Sequence, residues 1–440
     1  MGRLCGSCDN PPMHRPRPRH PRILALAFPL VVVACGGTTP SPSPSPSPSP
    51  TASPSSGGAS PSPSGSADSA AIYAEINEQV RAIRGLDEKK PIQPNVVSQQ
   101  ELTDVIRTSF DKDYPPEEVA ADEQLYHALG LLPKDQKLAD VYVELLESQV
   151  AGLYDPVTES MYVLSKEGGV GPVEEVFYSH EYDHALQDQN FDLEAIQEGL
   201  EGQSDQALAR QSLVEGDAYL TMQFWLQQNL TPEELGEVIA SSADPEALAV
   251  LQRTPAIVQA QLLFSATQGT LFVQGIHTAD GWPAVDAAFG NLPQSTEQIL
   301  HPEIYARGED PVAVDLPGDM AAGLGEGWSL VTEDTLGEYQ TSIWLGAPTI
   351  AAAVDGAAGW GGDRVALASG PDGAWAVAWR TIWDSPDDAT QFETVAETAV
   401  TKAGGPGAVL PGIGGTTRWV VVGSDDATLA KLTNVIGLAG

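Results

Sequence analysis

One short segment carries residue types that can do chemistry: His180 and Glu181, followed three residues later by His184. Apolar residues ahead of this HExxH pattern, Val176 and Phe177, indicate a helix with a buried face. Residues four apart lie on the same helix face, so both imidazoles can reach one metal ion while Glu181 points to its flank and can polarise a metal-bound water. The spacing therefore predicts a metal site. The alternative is an exposed, charged helix whose His and Glu side chains only contact water.

A metal site of this kind needs a third protein ligand. Catalytic zinc takes three, accepts neutral imidazole together with carboxylate, and keeps a fourth position open. We expect Glu215 to be the third, because it follows His184 by 31 residues and leaves room for a turn and an antiparallel return helix. Neighbouring acids keep this choice open: Glu194, Glu198, Glu201 and Asp217. Asp188 and Asp217 are candidate acceptors for the other N–H of a ligand imidazole, since such partners fix the tautomer.

The pattern His180-Glu181-x-x-His184 with a downstream Glu on a second helix resembles the gluzincin, or thermolysin-like, branch of zinc metallopeptidases. More narrowly, residues 179–189 and 214–218 resemble a group of bacterial lipoproteins with an HExTHALQDQ-like helix, and residues 295–302 are also similar to that group. The likeness covers about residues 140–225, with Asp183 where Thr is usual and a longer His-to-Glu spacing than in thermolysin-like enzymes. It implies a zincin fold, Zn²⁺ and peptide hydrolysis.

Peptide hydrolysis also needs a hydrogen-bond donor for the tetrahedral oxyanion. The candidates are Tyr182, Tyr219 and His301. For His301 a structural explanation is simpler, because Ser295 and Gln298 have helix-capping spacing and a His directly before a proline suits a helix end. We therefore expect His301 to end a helix.

Hydrophobic periodicity divides the rest of the chain into two parts. Helices are predicted in the first part at 70–83, 100–110, 120–129, 139–150, 173–189, 204–228 and 255–269. A β-hairpin is predicted from 150–154 and 160–164, just upstream of the motif. After about residue 360 we predict strands at 364–368, 375–383 and 418–422 and helices at 387–400 and 425–436. The predicted fold class is α+β: a mainly helical, zincin-like catalytic domain with a small β-sheet at 68–312, and a smaller α+β domain of unknown role at 313–440.

The N-terminal region has the features of an export signal. A basic leader precedes an apolar run at 23–34, which is too short to span a bilayer but suits a signal peptide. Residues 32–36 resemble the lipobox of bacterial lipoproteins, so we predict a signal peptide at 1–34 and lipidation of Cys35; an ordinary cleaved leader is the alternative. Residues 35–67 are rich in Ser and Pro and predict a disordered, extended tether.

Composition excludes several functional classes. The chain has 22 Lys and Arg against 60 Asp and Glu, a formal net charge of −38, which argues against nucleic-acid binding and against electrostatic membrane docking. Apolar residues make up 42%, enough for packed cores. Two of the three Cys lie in the leader and the third is Cys35, so no disulfide framework is expected.

Together these observations predict a metallopeptidase that is held on the extracytoplasmic face of the cell membrane by its lipid anchor alone and acts on a protein or peptide substrate. His180, His184 and Glu215 would bind Zn²⁺, and Glu181 would be the catalytic base. A different class of function stays open: a non-catalytic, surface-anchored peptide- or glycan-binding protein on a zincin scaffold. Hydrolysis of a non-peptide amide is a further option. The sequence predicts no oligomeric state.

Overall fold

A computed structural model describes residues 65–149, 152–164, 169–316 and 318–437. The predicted signal peptide, the predicted lipidation site Cys35 and residues 36–64 of the predicted tether lie outside these residues. The first helix begins at Gly65, so the last three residues of the predicted tether are helical.

Helices dominate the part of the chain before residue 312. They are α1 (Gly65–Arg84), α2 (Gln99–Asp113), α3 (Pro116–Leu129), α4 (Leu138–Gln149), α5 (Pro172–Phe191), α6 (Leu193–Ile196), α7 (Ser204–Asn229), α8 (Pro232–Ser241), α9 (Pro245–Arg253), α10 (Ala256–Phe264), α11 (Thr270–Asp280), α12 (Trp282–Phe289), α13 (Thr296–Leu300) and α14 (Pro302–Arg307). All seven helices predicted in this part are confirmed. The last of them continues from α10 through a π-helical turn, Ser265–Gly269, into α11.

A three-stranded sheet lies beside these helices, formed by β1 (Pro94–Val97), β2 (Gly152–Asp155) and β3 (Ser160–Leu164) in the order β1-β3-β2. The predicted hairpin is confirmed: β2 and β3 are antiparallel, with Asp155 opposite Ser160. The Asp155 carboxylate fixes the turn by accepting the Val157 N–H at 2.9 Å. Strand β1, which pairs in parallel with β3, is not among the predicted elements.

The C-terminal part contains a second, antiparallel sheet in the order β4-β5-β6-β8-β7. Its strands are β4 (Ser329–Asp334), β5 (Trp360–Ser369), β6 (Trp375–Trp383), β7 (Gly407–Pro411) and β8 (Thr417–Gly423). The helices are α15 (Met320–Leu324), α16 (Gly337–Leu345), α17 (Ala351–Ala357), α18 (Pro386–Ala399) and α19 (Asp426–Gly437). The predicted strands and helices are confirmed, and so is the α+β class.

Both faces of this second sheet are buried. Along β8, Val420 and Val422 pack on one face, while Trp419 and Val421 pack on the other with α15 and α19. The first face belongs to a large apolar cluster that also holds residues of α2, α3 and α4. Hydrophobic contacts therefore cross the domain boundary predicted near residue 312, and that boundary stays a prediction.

The helical run Ala256–Asp280 is long and apolar enough to cross a membrane. About 44% of an apolar 18-residue stretch within it is buried inside the fold, and core helices of other proteins meet the same criteria. The run therefore carries no membrane assignment.

Candidate metal centre

Helix α5 carries the HExxH motif through the middle of the protein. It begins with Pro172, which suits a first helical position, and Glu174 accepts the Gly171 N–H at 3.1 Å. Every residue from Val176 to Gln187 is buried. A helix buried on all sides is a core helix, so its polar motif residues must find partners inside the protein.

Helix α7 packs against α5 and carries Glu215. Its neighbour Gly216 lets the backbone approach the π-helical turn closely, because a Cβ atom there would lie 2.2 Å from the Gly269 carbonyl oxygen. Any larger residue would push these elements apart. The close packing fixes the position of α7 against this turn at the residue next to Glu215.

The three predicted ligands lie together. The Nε2 atoms of His180 and His184 are 3.1 Å apart, with the two rings nearly perpendicular. The Glu215 Oε2 atom lies 3.4 Å from the first of these nitrogens and 3.7 Å from the second. Among the described residues, these three form the group of His, Cys, Asp and Glu side chains that could hold a metal ion.

These distances fit a shared metal ion. Bonds of about 2.0–2.2 Å in a tetrahedral site place neighbouring ligand atoms about 3.3–3.6 Å apart, which is the range that the three distances bracket. The Glu215 Oε2 atom is buried and has no hydrogen bond of normal geometry within the described part of the chain. The arrangement of donor atoms is therefore compatible with a divalent cation.

Contacts from neighbouring glutamines hold two of the predicted ligands, Glu215 and His184, in place. Gln211, one turn before Glu215, donates to its Oε1 at 2.9 Å, which turns Oε2 towards the histidines. Gln187, one turn after His184, lies with its Oε1 atom 2.9 Å from the His184 Nδ1 atom. The prediction that Asp188 or Asp217 accepts the ligand imidazole N–H is wrong for His184, since this partner is Gln187.

Behind Gln187 lies a buried network of charges. The Gln187 Nε2 atom donates to Asp217 Oδ2 and to Asp183 Oδ2, both at 3.1 Å. Arg84, from α1, donates to the two oxygens of Asp217 at 2.7 and 3.0 Å. Burial and then the charge of Asp217 raise the pKa of Asp183 to about 8.

Glu181 lies on the side of α5 that faces the first sheet. Its Oε2 atom accepts the backbone N–H of Tyr154, in β2, at 2.7 Å. The predicted hairpin thus supplies an orienting contact for the predicted catalytic base.

Burial and mutual charge set the ionisation of the metal-free cluster. Burial lowers the pKa of His180. For His184, burial is the largest single effect and acts in the same direction, but the charge and hydrogen bond of Glu215, the charge of Glu181 and the contact with Gln187 together outweigh it and raise the pKa to about 9. Burial likewise opposes ionisation of Glu215, but the charges and hydrogen bonds of His184 and His180 together outweigh it and lower that pKa to about 2. Without metal, a proton on His184 thus balances the Glu215 carboxylate.

Of the three candidate oxyanion donors, Tyr219 lies beside a ligand, with its ring centroid 4.6 Å from that of His180. Tyr182 is buried and stacks on Tyr178. His301 ends α13 as expected, and its Nε2 atom lies 3.0 Å from Glu338 Oε1.

The cluster is shielded from solvent: His180, Glu181 and His184 are 0% exposed and Glu215 is 4% exposed. A surface cavity of about 470 Å³ lies between α1, α7 and α12, where Phe224 and Trp282 line it, but no motif residue does. In this conformation a polypeptide cannot reach the three ligand atoms.

Sequence reasoning missed Gln187, Gln211 and Arg84. The two glutamines could have been found, because each lies one helical turn from a predicted ligand. Arg84 could not, since its pairing with Asp217 spans 133 residues and depends on tertiary packing.

Comparison with known proteins reaches only the C-terminal part. A family described as a domain of unknown function (DUF8575) matches residues 328–434, which run from β4 into α19 and include no residue of the HExxH motif. Neither the curated proteins nor the solved structures gave a match. What the cluster does must therefore be argued from its own chemistry.

Proposed function

We propose that this protein is a zinc-dependent metallopeptidase with a zincin-like catalytic domain, in which His180, His184 and Glu215 bind Zn²⁺. The observation that carries the proposal is the triangle of two imidazole nitrogens and one carboxylate oxygen, with sides of 3.1, 3.4 and 3.7 Å. This donor set suits zinc, and three protein ligands leave the fourth vertex of a tetrahedron open, as in catalytic rather than structural zinc sites.

A bound zinc ion would supply Lewis acidity and lower the pKa of its water towards neutrality. In this proposal Glu181 accepts a proton from the attacking water and later delivers it to the leaving amine. The Tyr154 N–H holds Glu181 Oε2 and so helps to orient the carboxylate for this role. Tyr219 is the best-placed of the candidate oxyanion donors, since it packs on His180.

The proposed location is the extracytoplasmic face of the membrane, with a lipid on Cys35 as anchor and a protein or peptide as substrate. The basic leader, the short apolar run and the position of Cys35 support it. Labelled fatty acid should enter the wild-type protein in its bacterial host and not a Cys35→Ser variant.

The test of the catalytic proposal is a pair of variants on α5. Glu181→Gln should retain about one zinc per chain but lose on the order of 10²–10⁴-fold in chelator-sensitive cleavage of a peptide mixture. The control is Glu175→Gln on the same helix, which leaves the motif intact and should cleave like wild type. Cleavage by Glu181→Gln at the wild-type rate would refute the role of Glu181.

One observation favours a second candidate function: the complete burial of the cluster. In this alternative the metal clamps α5 to α7 and the protein is a non-catalytic, surface-anchored binder of peptide or glycan. As an enzyme, by contrast, the protein must open at this site to admit substrate. Wild-type protein that holds one zinc yet cleaves none of a broad set of peptides would favour the binder.

A further inference from the structure

Gln187 is buried between a predicted metal ligand and an ion pair. It is 0% exposed and lies three residues after His184, on the same face of α5. Its Oε1 atom is 2.9 Å from His184 Nδ1. Its Nε2 atom faces the Val214 carbonyl oxygen at 3.0 Å and Asp217 Oδ2 at 3.1 Å.

These contacts allow one orientation of the Gln187 amide. A backbone carbonyl can only accept, so the NH₂ group must face Val214 and the amide oxygen must face His184. An amide oxygen can only accept as well, so His184 must carry its proton on Nδ1. In the neutral ring, the form that binds metal, the lone pair of His184 then lies on Nε2, the atom that points at His180 and Glu215.

An ion pair fixes the position of Asp217, the acceptor on the Nε2 side of the Gln187 amide. Arg84 donates to both oxygens of Asp217, at 2.7 and 3.0 Å, and both side chains are 0% exposed. Such a bidentate pair holds its carboxylate in one plane. The guanidinium also packs over the Trp282 ring, 4.6 Å from its centroid. The contacts thus run from α1 and α12 through Asp217 to Gln187.

We propose that Gln187 is a positioning residue that holds His184 in the Nδ1–H tautomer and so presents Nε2 to the metal, with Asp217 and Arg84 fixing its amide. This inference rests on the proposed metal site and adds to it a residue that touches neither metal nor substrate. A core-filling role would make a different prediction, because a methionine of similar size would then serve as well as glutamine.

The test compares two substitutions on α5 in the full-length protein. Gln187→Met removes the amide, while the control Gln189→Met removes an amide that bonds to Lys89 and Lys90 away from the cluster. Zn²⁺ dissociation constants are measured by competition with a chromophoric chelator. We expect Gln187→Met to bind zinc 10–100-fold more weakly than wild type, as for other outer partners of metal ligands, and Gln189→Met to match wild type.

A second readout needs no substitution at position 187. In zinc-loaded wild-type protein with ¹⁵N-labelled histidine, the ring signals of His184, assigned by their loss in His184→Gln, should show a proton on Nδ1 and metal on Nε2. This result stands even if Gln187→Met fails to fold. Metal on Nδ1 would mean that Gln187 does not present Nε2 to the metal.

The outcomes separate the two proposals. Equal zinc affinity of Gln187→Met and wild type, or metal on Nδ1 of His184, overturns the role of Gln187 and leaves the zinc site intact. Failure of wild-type protein to bind Zn²⁺ at all rejects the metal site and, with it, this role.

Discussion

Helix α7 passes through two buried polar clusters, and they differ in how their carboxylates are satisfied. Near its start, Asp205 is 1% exposed and meets the N-terminus of α13; ten residues later, Glu215 is 4% exposed and meets the two histidines of α5. At a rise of about 1.5 Å per residue, the two acids are about 15 Å apart along one helix.

At Asp205 every contact pairs a donor with an acceptor. Its Oδ1 atom accepts the Thr296 N–H at 3.0 Å and the Thr296 hydroxyl at 2.5 Å. The segment at 295–302 thus contributes Thr296 to this cluster and no residue to the predicted metal ligands. At Glu215, Oε2 meets nitrogens 3.4 and 3.7 Å away, beyond normal hydrogen-bond length.

The pKa values show the same difference. Burial raises the pKa of Asp205 well above its usual value. At Glu215 the charges and hydrogen bonds of His184 and His180 together outweigh burial and lower the pKa. Two acids of nearly equal burial therefore have pKa values that are shifted in opposite directions. The Asp205 cluster, in which a carboxylate meets hydrogen-bond donors, has the features of a structural contact between helices. The Glu215 cluster, in which acceptor atoms converge on one point, suits a cation.

The largest expected effect is on metal binding. Glu215→Gln keeps the size of the side chain but removes the anionic ligand, so zinc affinity should fall by more than the roughly 10–100-fold typical of an outer partner. Asp205→Asn should bind zinc like wild type. Equilibrium competition measures both, and similar losses in the two variants would erase the distinction between the clusters.

The same residues show how much of the site could be predicted from the sequence. His180 and His184 could be predicted because helical spacing fixes which side chains share a face, and Glu215 because the site needs a third ligand and the chain leaves room for a return helix. The connection from Arg84 to Asp217 could not, because it depends on how α1 packs against α7. The short strands β1 and β7 were missed because four or five residues give little periodicity. Strand β1 in addition pairs with a strand that is distant in sequence, β3.

The next effect is the pH dependence of zinc affinity. The raised pKa of His184, about 9, means that metal must displace a proton at neutral pH. Displacement of one proton weakens binding about tenfold per pH unit below that pKa, or about 100-fold between pH 8 and pH 6. Chelator competition at pH 6, 7 and 8 gives the slope of zinc affinity against pH. The control Asp205→Ala should have the same slope as wild type. A flat profile would count against histidine ligation.

A smaller effect concerns stability. Asp205→Ala leaves the N–H and hydroxyl of Thr296 without their acceptor, which should cost about 1–3 kcal/mol in the free energy of unfolding. The exposed control Asp355→Ala should change it by less than about 0.5 kcal/mol. Urea unfolding of metal-free protein measures both. If Asp205→Ala lost zinc binding but kept the stability of wild type, the Asp205 cluster would contribute directly to the metal site.

The smallest effect comes from Glu297, next to Thr296. Burial, and then the charge of Glu338, raise its pKa to about 8, against an unfolded value near 4.3. Between these two values the folded state binds more protons than the unfolded state, so stability falls as pH rises. Glu297→Gln removes this penalty and should be more stable than wild type at pH 8, with the difference shrinking towards pH 5. Urea titrations at the two pH values test the sign. If the variant were less stable than wild type at pH 8, the charged Glu297 carboxylate would stabilise the fold. The Asp205 cluster would then depend on a negative charge, as the metal cluster depends on that of Glu215.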